Sequence, residues 1–231
     1  MSVEAALGTD RVFATDLAGL RPHPGLATSA ANMTRLLARS EIVASHRTGD
    51  PRVQDAYSLR CAPQVAGAAR DTLAHVATVA EREMAAVVDN PVVLADRRVE
   101  SNGNFHGAPL AHASDFLAIV AADLGAMAER RLDRLLDPAR SHGLPPFLAA
   151  DPGVDSGMMI AQYTAAALVA ENRRLAVPAS ADSIPTSAMQ EDHVSMGWAA
   201  GRKLRTALAN LAQILAVELV VAARAVSIGS R

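Results

Sequence analysis

The chain has 231 residues, of which half are hydrophobic and only 3% are aromatic, and its 22 basic residues nearly balance 24 acidic ones. A chain of this length can bury a substantial core, and its balanced charge excludes the strongly basic surface of a nucleic-acid-binding protein. The single cysteine, Cys61, excludes an internal disulfide bond and a cysteine-based zinc site, and it indicates a reduced, cytoplasmic setting.

No segment of the sequence is predicted to enter a membrane. The N-terminus carries Glu4 early and has no basic region before an apolar stretch, unlike a signal peptide. The most apolar stretch, residues 214–226, contains Glu218 and Arg224, and we predict that it is too short and too charged to span a bilayer. We therefore expect no membrane partner.

The N-terminal quarter predicts short helices joined by connectors. Residues 1–24 indicate a short helix and a connector, and a helix is expected over residues 29–45. Residues 54–61 indicate one or two helical turns, because Pro63 biases the residue before it away from helical geometry.

Long helices follow, each with apolar residues at three- and four-residue steps. A small hairpin over residues 91–100 interrupts them, and Pro109 suits a first helical turn. Small aliphatic side chains let helices approach closely, which favours an all-α, long-helix bundle in one domain over residues 1–231, completed by other subunits. The predicted long helices cover residues 64–88, 109–137, 156–175 and 197–226.

Three polar stretches are candidates for a functional site, because functional residues concentrate in loops between rigid helices. In the first, residues 54–60, Gln54 and Tyr57 are neighbours at helical spacing, and Arg60 lies on an adjoining face. The guanidinium of Arg60 matches a substrate carboxylate with two parallel hydrogen bonds, and Tyr57 beside that cation could act as a base. A capped surface turn with an ordinary ion pair is the alternative, and the spacing leaves it open.

The second stretch, residues 101–107, combines two glycines and two asparagines, which suit positive φ values and close backbone approach. Phe105 could be exposed and pack against a flat substrate, or it could lie in the core beneath a helix-entry loop. His106 and His112 are six positions apart and do not share a helix face, so we expect no metal site.

The third stretch, residues 189–196, places Glu191 and Asp192 beside His193, just before a predicted helix. Such a cluster can simply cap the helix. It can also hold a carboxylate that binds an amine or an imidazole. The residues alone leave both interpretations open.

These stretches resemble the histidine ammonia-lyases of the aromatic amino acid lyase family, and the likeness extends over nearly the whole chain. Several long blocks in the same order are far more specific than a single motif. The matching blocks are QDAYSLRCAPQ at residues 54–64, DNPVVL at 89–94, SNGNFHG at 101–107 and SIPTSAMQEDHVSMG at 183–197, supported by GLPPFL at 143–148 and PASADS at 178–183.

The resemblance implies a carbon–nitrogen lyase of histidine catabolism that converts L-histidine to urocanate and ammonia without a metal. It implies that Arg60 binds the substrate carboxylate, that Tyr57 transfers a proton, and that Glu191 meets the imidazole or amino group and takes the β-proton. The implied pocket-shaping residues are Gln54, Asn104 and Phe105, and the implied supporting residues are Gln190 and His193.

The resemblance also implies features that other polypeptides must provide. The family's helices form a fumarase/aspartase-type core, and its active sites form where the subunits of a homotetramer meet. Its electrophile, 4-methylideneimidazol-5-one, forms from an internal Ala-Ser-Gly, which does not occur in these 231 residues. Met1 corresponds to a point inside the family's domain, and the family continues beyond Arg231. We therefore expect a lyase-like chain that is inactive alone and needs a partner chain to supply the electrophile.

The alternative is a non-enzymatic helical oligomer that binds or modulates a full-length lyase. A lyase acting on phenylalanine or tyrosine is disfavoured, because the acid at Glu191 suits an imidazole better than a phenyl ring. In each case we expect a homo- or hetero-oligomer.

Overall fold

In the computed structural model, which describes residues 1–228, the regular secondary structure is helical apart from one short hairpin. Strand β1 (Val92–Val93) pairs antiparallel with strand β2 (Val99–Glu100). The predicted all-α fold with a small hairpin is confirmed. The expectation that the family continues beyond Arg231 concerns a position outside the described residues. The α-helices are α1 (Ser2–Ala5), α2 (Thr15–Ala18), α3 (Pro24–Leu37), α4 (Glu41–Ser45), α5 (Tyr57–Arg60), α6 (Ala62–Met84), α7 (Ala108–Leu136), α8 (Met159–Leu175) and α9 (Gly197–Ile228).

Helices α6 to α9 form the bundle, and the most extensive packing is between α7 and α9. The inward face of α7 consists of small residues, among them Ala118, Ala121 and Ala128, which are almost fully buried. At Gly125 an added Cβ would lie 3.1 Å from Cδ1 of Ile214 in α9. Small residues on this face therefore let the two long helices approach closely and exclude water between them.

Two buried ion pairs join α7 to α9. Glu218 accepts hydrogen bonds from Nε and Nη2 of Arg131, at 2.5 and 2.9 Å. Asp115 accepts hydrogen bonds from Nζ of Lys203 at 2.8 Å and from the N–H of Ser180 at 2.7 Å. Burial acts to raise the pKa of Asp115, but these donors outweigh it and hold the pKa below its ordinary value.

By length and composition alone, α7 and α9 are apolar enough to span a membrane, a property that core helices of globular proteins share. The prediction from residues 214–226 was wrong on length, because that stretch is part of a helix of 32 residues. Since the buried charges of both helices are paired inside the bundle, we treat them as core helices.

Helix α3 crosses α6 at two glycines. An added Cβ on Gly25 would lie 2.1 Å from the carbonyl oxygen of Gly67, and one on Gly67 would lie 2.5 Å from the backbone nitrogen of Leu26. Asp71 of α6 also accepts a hydrogen bond from the N–H of Gly25 at 2.7 Å, in the first turn of α3. This contact satisfies one of the amides that a helix N-terminus leaves without a partner.

Two predicted boundaries in the N-terminal part were wrong for local reasons. The helix expected over residues 29–45 is two helices, because Arg39 has a left-handed φ of 63° and the side chain of Ser40 caps α4. Pro63 does not end the preceding turn. It lies in the first turn of α6, which begins at Ala62, where a proline has no helical hydrogen bond to lose.

The ends of two long helices also differ from the prediction. Helix α6 ends at Met84, four residues before the predicted end at position 88. Helix α8 begins at Met159, three residues after the predicted start at position 156, and Asp155 closes the preceding loop. Its carboxylate accepts hydrogen bonds from the N–H groups of Ala150 and Gly157 at 3.0 and 2.8 Å.

Candidate functional site

The first group of predicted site residues lies at the junction of α5 and α6. Tyr57 begins α5 and is 70% exposed, and Gln54 is exposed in the loop before it. The guanidinium carbon of Arg60 lies 4.9 Å from the centre of the Tyr57 ring. Nε of Arg60 donates to the carbonyl oxygen of Asp55 at 3.1 Å. Within the described residues the terminal nitrogens of Arg60 have no protein acceptor, which leaves them available for a carboxylate.

Asp55 anchors this junction through hydrogen bonds to its carboxylate. Its buried carboxylate accepts hydrogen bonds from the N–H and the hydroxyl of Thr9, at 2.7 and 2.8 Å, and from Nη1 of Arg52 at 3.3 Å. Arg52 also pairs with Asp50 at 2.6 Å, and its guanidinium holds the pKa of the Asp50 carboxyl well below the ordinary value. The turn at residues 54–60 is therefore anchored to the N-terminal segment through side chains other than the three predicted site residues.

The second group lies at the opposite end of α6, in the loop that enters α7. Phe105 is 57% exposed, so within one chain the interpretation that placed it in the core is wrong. Asn102 shapes the loop by accepting from the N–H of Asn104 at 2.8 Å and donating to the carbonyl oxygen of Asp89 at 3.0 Å. Asn104 and Phe105 line a cavity of about 320 Å³ together with Met84.

The third group lies in the loop before α9. Gln190, Glu191 and His193 are all exposed there. The carboxylate of Glu191 accepts a hydrogen bond from the hydroxyl of Thr186 at 2.5 Å. The capping alternative is wrong for Glu191, because its carboxylate bonds Thr186, and the first amide of α9, that of Gly197, donates to the hydroxyl of Ser195 at 3.5 Å.

His106 joins the second group to the third. Its ring stacks on that of His193, with the ring centres 5.6 Å apart and the planes inclined by 7°. Its Nε2 lies 3.2 Å from the carbonyl oxygen of His193, a hydrogen bond in the tautomer that carries the proton on Nε2. Phe105 and Glu191 are thus carried by two loops in direct contact. This role of His106 was not predictable from the sequence, since no spacing rule connects positions 87 residues apart.

The two ends of the predicted site do not meet within one chain. Tyr57 and Arg60 precede the first turn of α6, whereas Phe105 lies beside Met84 in its last turn. Helix α6 has 23 residues, and a helix of that length spans about 34 Å. The predicted site residues of one chain therefore fall into two predicted half-sites at opposite ends of α6, with Tyr57 and Arg60 in one and Phe105 and Glu191 in the other.

The resemblance implies an electrophile that forms from an internal Ala-Ser-Gly, and that tripeptide does not occur in residues 1–231. Among residues 1–228, no three His, Cys, Asp or Glu side chains are grouped in a way that could hold a metal ion.

A larger cavity, of about 770 Å³, opens between α3, α6, α7 and α9. Its walls are largely apolar, with Met33, Leu36 and Leu124 among the lining residues, and the Arg131–Glu218 pair also lines it. None of the predicted site residues contributes to it.

Comparisons with known proteins identify the family. The family model for aromatic amino acid lyases matches residues 1–231. The histidine ammonia-lyases of Streptomyces avermitilis and Streptomyces coelicolor are 71% and 70% identical to this chain over 228 residues. These matches cover 99% of this chain and 44% of each relative, so the chain spans less than half the length of the curated relatives that it matches.

Solved structures of family members have the same fold as this chain. Histidine ammonia-lyase from Trypanosoma cruzi, 42% identical, superposes with a TM-score of 0.85 over 98% of this chain and 42% of its own. Tyrosine aminomutase from Streptomyces globisporus, 40% identical, has a TM-score of 0.90 over 100% of this chain and 47% of its own. Phenylalanine ammonia-lyase from Rhodosporidium toruloides, 27% identical, has a TM-score of 0.89 over 97% and 34%. The resemblance of the sequence blocks is thereby confirmed, and the chain belongs to the aromatic amino acid lyase family.

Proposed function

We propose that this chain supplies the substrate-binding and proton-transfer part of a histidine ammonia-lyase, which converts L-histidine to urocanate and ammonia. The observation that carries the proposal is the 71% identity, over 99% of the chain, to a histidine ammonia-lyase. The fold does not select the substrate, since a tyrosine aminomutase and a phenylalanine ammonia-lyase have it too. Glu191 favours histidine, because a carboxylate suits an imidazole better than a phenyl ring.

Each predicted residue has a role that its surroundings support. The terminal nitrogens of Arg60 bind the substrate carboxylate with two parallel hydrogen bonds. Tyr57, next to that cation, moves a proton at its phenol oxygen. Glu191 meets the imidazole or amino group and takes the β-proton, and the exposed ring of Phe105 packs against the substrate ring. Gln54 and Asn104 complete the pocket walls, while Gln190 and His193 support Glu191.

These side chains bind and orient an amino acid, but they do not make its amine a leaving group. That chemistry requires an electrophile, and positioning alone does not replace it. We therefore propose that a polypeptide carrying the family's Ala-Ser-Gly segment joins this chain, whether as part of a longer protein or as a separate subunit. We propose a cytoplasmic assembly without nucleic-acid or membrane partners.

The separation of the half-sites supports an active site shared between copies. Because Arg60 and Glu191 lie at opposite ends of α6, a site containing both needs the Arg60 end of one copy and the Glu191 end of another. Copies that pack antiparallel along their long helices would bring these ends together. Leu208, Leu215 and Leu219 on α9 are about half exposed and provide an apolar face for such packing.

The experiment is a reconstitution assay. We expect the purified chain alone to form no urocanate from L-histidine, measured by absorbance. We then add, as a second polypeptide, the portion of the Streptomyces avermitilis relative that does not align with this chain. The mixture should form urocanate. A matched mixture containing the Glu191→Gln variant should remain at least about 100-fold slower, the order of effect of removing a general base.

Two results would contradict the proposal. Turnover by this chain alone would show that it needs no second polypeptide. If both polypeptides form a stable complex that makes no urocanate, this chain is not part of a histidine ammonia-lyase.

The second candidate is a non-enzymatic helical oligomer that modulates a full-length lyase. The separation of the two predicted half-sites favours it, since it leaves one copy without a complete site. It predicts that the chain binds the intact relative and changes that enzyme's urocanate formation. It also predicts no gain of activity with the complementary part alone.

A further inference from the structure

The loop that carries Glu191 has an unusual backbone path. Ser187, Ala188 and Met189 have φ values of 49°, 52° and 71°, in the left-handed region that normally favours glycine. Three consecutive residues with side chains adopt this conformation only where the surrounding contacts over-determine it. Contacts on either side of this turn must therefore hold it.

Thr186 and Glu191 make those contacts. The N–H of Thr186 donates to the carbonyl oxygen of Glu191 at 2.9 Å, and the N–H of Glu191 donates back at 3.3 Å. The hydroxyl of Thr186 donates to Oε2 of Glu191 at 2.5 Å. A hydroxyl forms a short, charge-assisted hydrogen bond with an ionised carboxylate. The backbone pair thus fixes the place of Glu191, and the hydroxyl fixes the direction of its carboxylate.

Two further anchors hold the loop independently of that hydroxyl. The N–H of Val194 donates to the hydroxyl oxygen of Ser183 at 2.8 Å. His106 contacts the carbonyl oxygen of His193 and stacks on its ring. Removing the Thr186 hydroxyl should therefore release the carboxylate without unfolding the loop.

We propose that Thr186 is a positioning residue that holds the Glu191 carboxylate in one orientation, on the side of the molecule that carries Phe105. The inference rests on the proposed function, in which Glu191 takes a proton from the substrate. A carboxylate that rotates freely spends less time in the productive geometry, and small misplacements of a reacting group slow a reaction strongly.

The first test uses the chain alone and needs no activity. NMR scalar couplings of the Glu191 side chain should report one rotamer in the unaltered chain and in Thr186→Ser, which keeps the hydroxyl. They should report rotamer averaging in Thr186→Val, which has the same shape without the hydroxyl. Averaged couplings in the unaltered chain, or a single rotamer in Thr186→Val, would overturn the inference.

The second test uses the reconstituted lyase. Thr186→Val should lower kcat for urocanate formation by about tenfold or more, with a smaller change in KM, and Thr186→Ser should restore most of the rate. The matched control is Thr164→Val, which removes an exposed hydroxyl bound to its own helix. A kcat for Thr186→Val equal to that of the control would overturn the inference. If the unaltered mixture forms no urocanate, the proposed function fails, and the NMR result still decides whether Thr186 holds Glu191.

Discussion

Arg60 shows how a charged side chain can be oriented without an ion pair of its own. Its Nε donates to a backbone carbonyl, that of Asp55, while the Asp55 carboxylate is held by Thr9 and Arg52. The arginine is thereby directed by a backbone contact, and within the described residues its terminal nitrogens have no protein acceptor. Spacing along the chain could suggest that Tyr57 and Arg60 are near each other, but not that Thr9 supports them, because that contact joins residues 46 positions apart.

A prediction at the residue scale concerns the buried pair of Asp115 and Lys203. The side chain of Asp115 is 3% exposed and that of Lys203 is 21% exposed. Asp115→Asn should lower the free energy of unfolding at pH 7 by about 2 kcal/mol, because a neutral amide would replace the carboxylate that pairs with the ammonium group. Urea denaturation of the chain and the variant measures the difference.

The pH dependence of that difference follows from the lowered pKa of Asp115. A carboxyl whose folded-state pKa is lowered stabilises the fold fully above its unfolded-state pKa, about 3.9. The contribution disappears as the pH falls through the folded-state value, so the difference in unfolding free energy should shrink below about pH 4. Asp96→Asn, in an exposed pair with Arg98, is the control and should change stability little. A difference that stayed constant from neutral pH down to about pH 3 would contradict the assignment.

At the scale of elements, the long helices were predictable and their ends were less so. A helix that buries one face must repeat apolar residues at the helical period, so α7 was predicted to within a residue at each end. The ends depend on single residues whose effect is ambiguous. Pro63 is compatible with ending one helix or beginning the next, and only the packing of α6 decides between them.

The crossing of α3 and α6 gives a prediction at this scale. Replacing Gly67 by Ala should raise helix propensity by about 1 kcal/mol, but its Cβ would lie 2.5 and 2.6 Å from the backbone nitrogen and Cα of Leu26. A backbone cannot move aside as a flexible side chain can, so we expect a net loss of about 2 kcal/mol in unfolding free energy.

Gly201→Ala is the matched control for that variant. Gly201 lies in α9, and within the described residues no heavy atom beyond its chain neighbours and the backbone of its own helix would come within 4 Å of its Cβ. It should raise the unfolding free energy by up to about 1 kcal/mol. Equal urea midpoints for the two variants would show that the close crossing does not limit stability.

At the scale of the whole molecule, the family could be predicted from the sequence, but the arrangement of the candidate site residues could not. Sequence blocks such as those around Tyr57 and Glu191 give the types and the order of the residues. They give no information on the distance between the blocks in space. The separation of these two residues appears only once α6 is known to be one uninterrupted helix of 23 residues between the half-sites. Thr186 was missed for a related reason, because a threonine between proline and serine in a loop indicates nothing about its partner.

That separation gives a prediction about the assembly. Tyr57→Phe and Glu191→Gln should each inactivate the reconstituted lyase, since each removes one proposed proton-transfer group from every active site. Co-assembling equal amounts of the two variants should restore about a quarter of the unaltered rate, because random pairing places a native Tyr57 end opposite a native Glu191 end in about one site in four. If both residues came from the same copy, every site in the mixture would retain one defect and the rate would not rise. Urocanate formation by the mixture, compared with each variant alone at the same total concentration, separates the two arrangements.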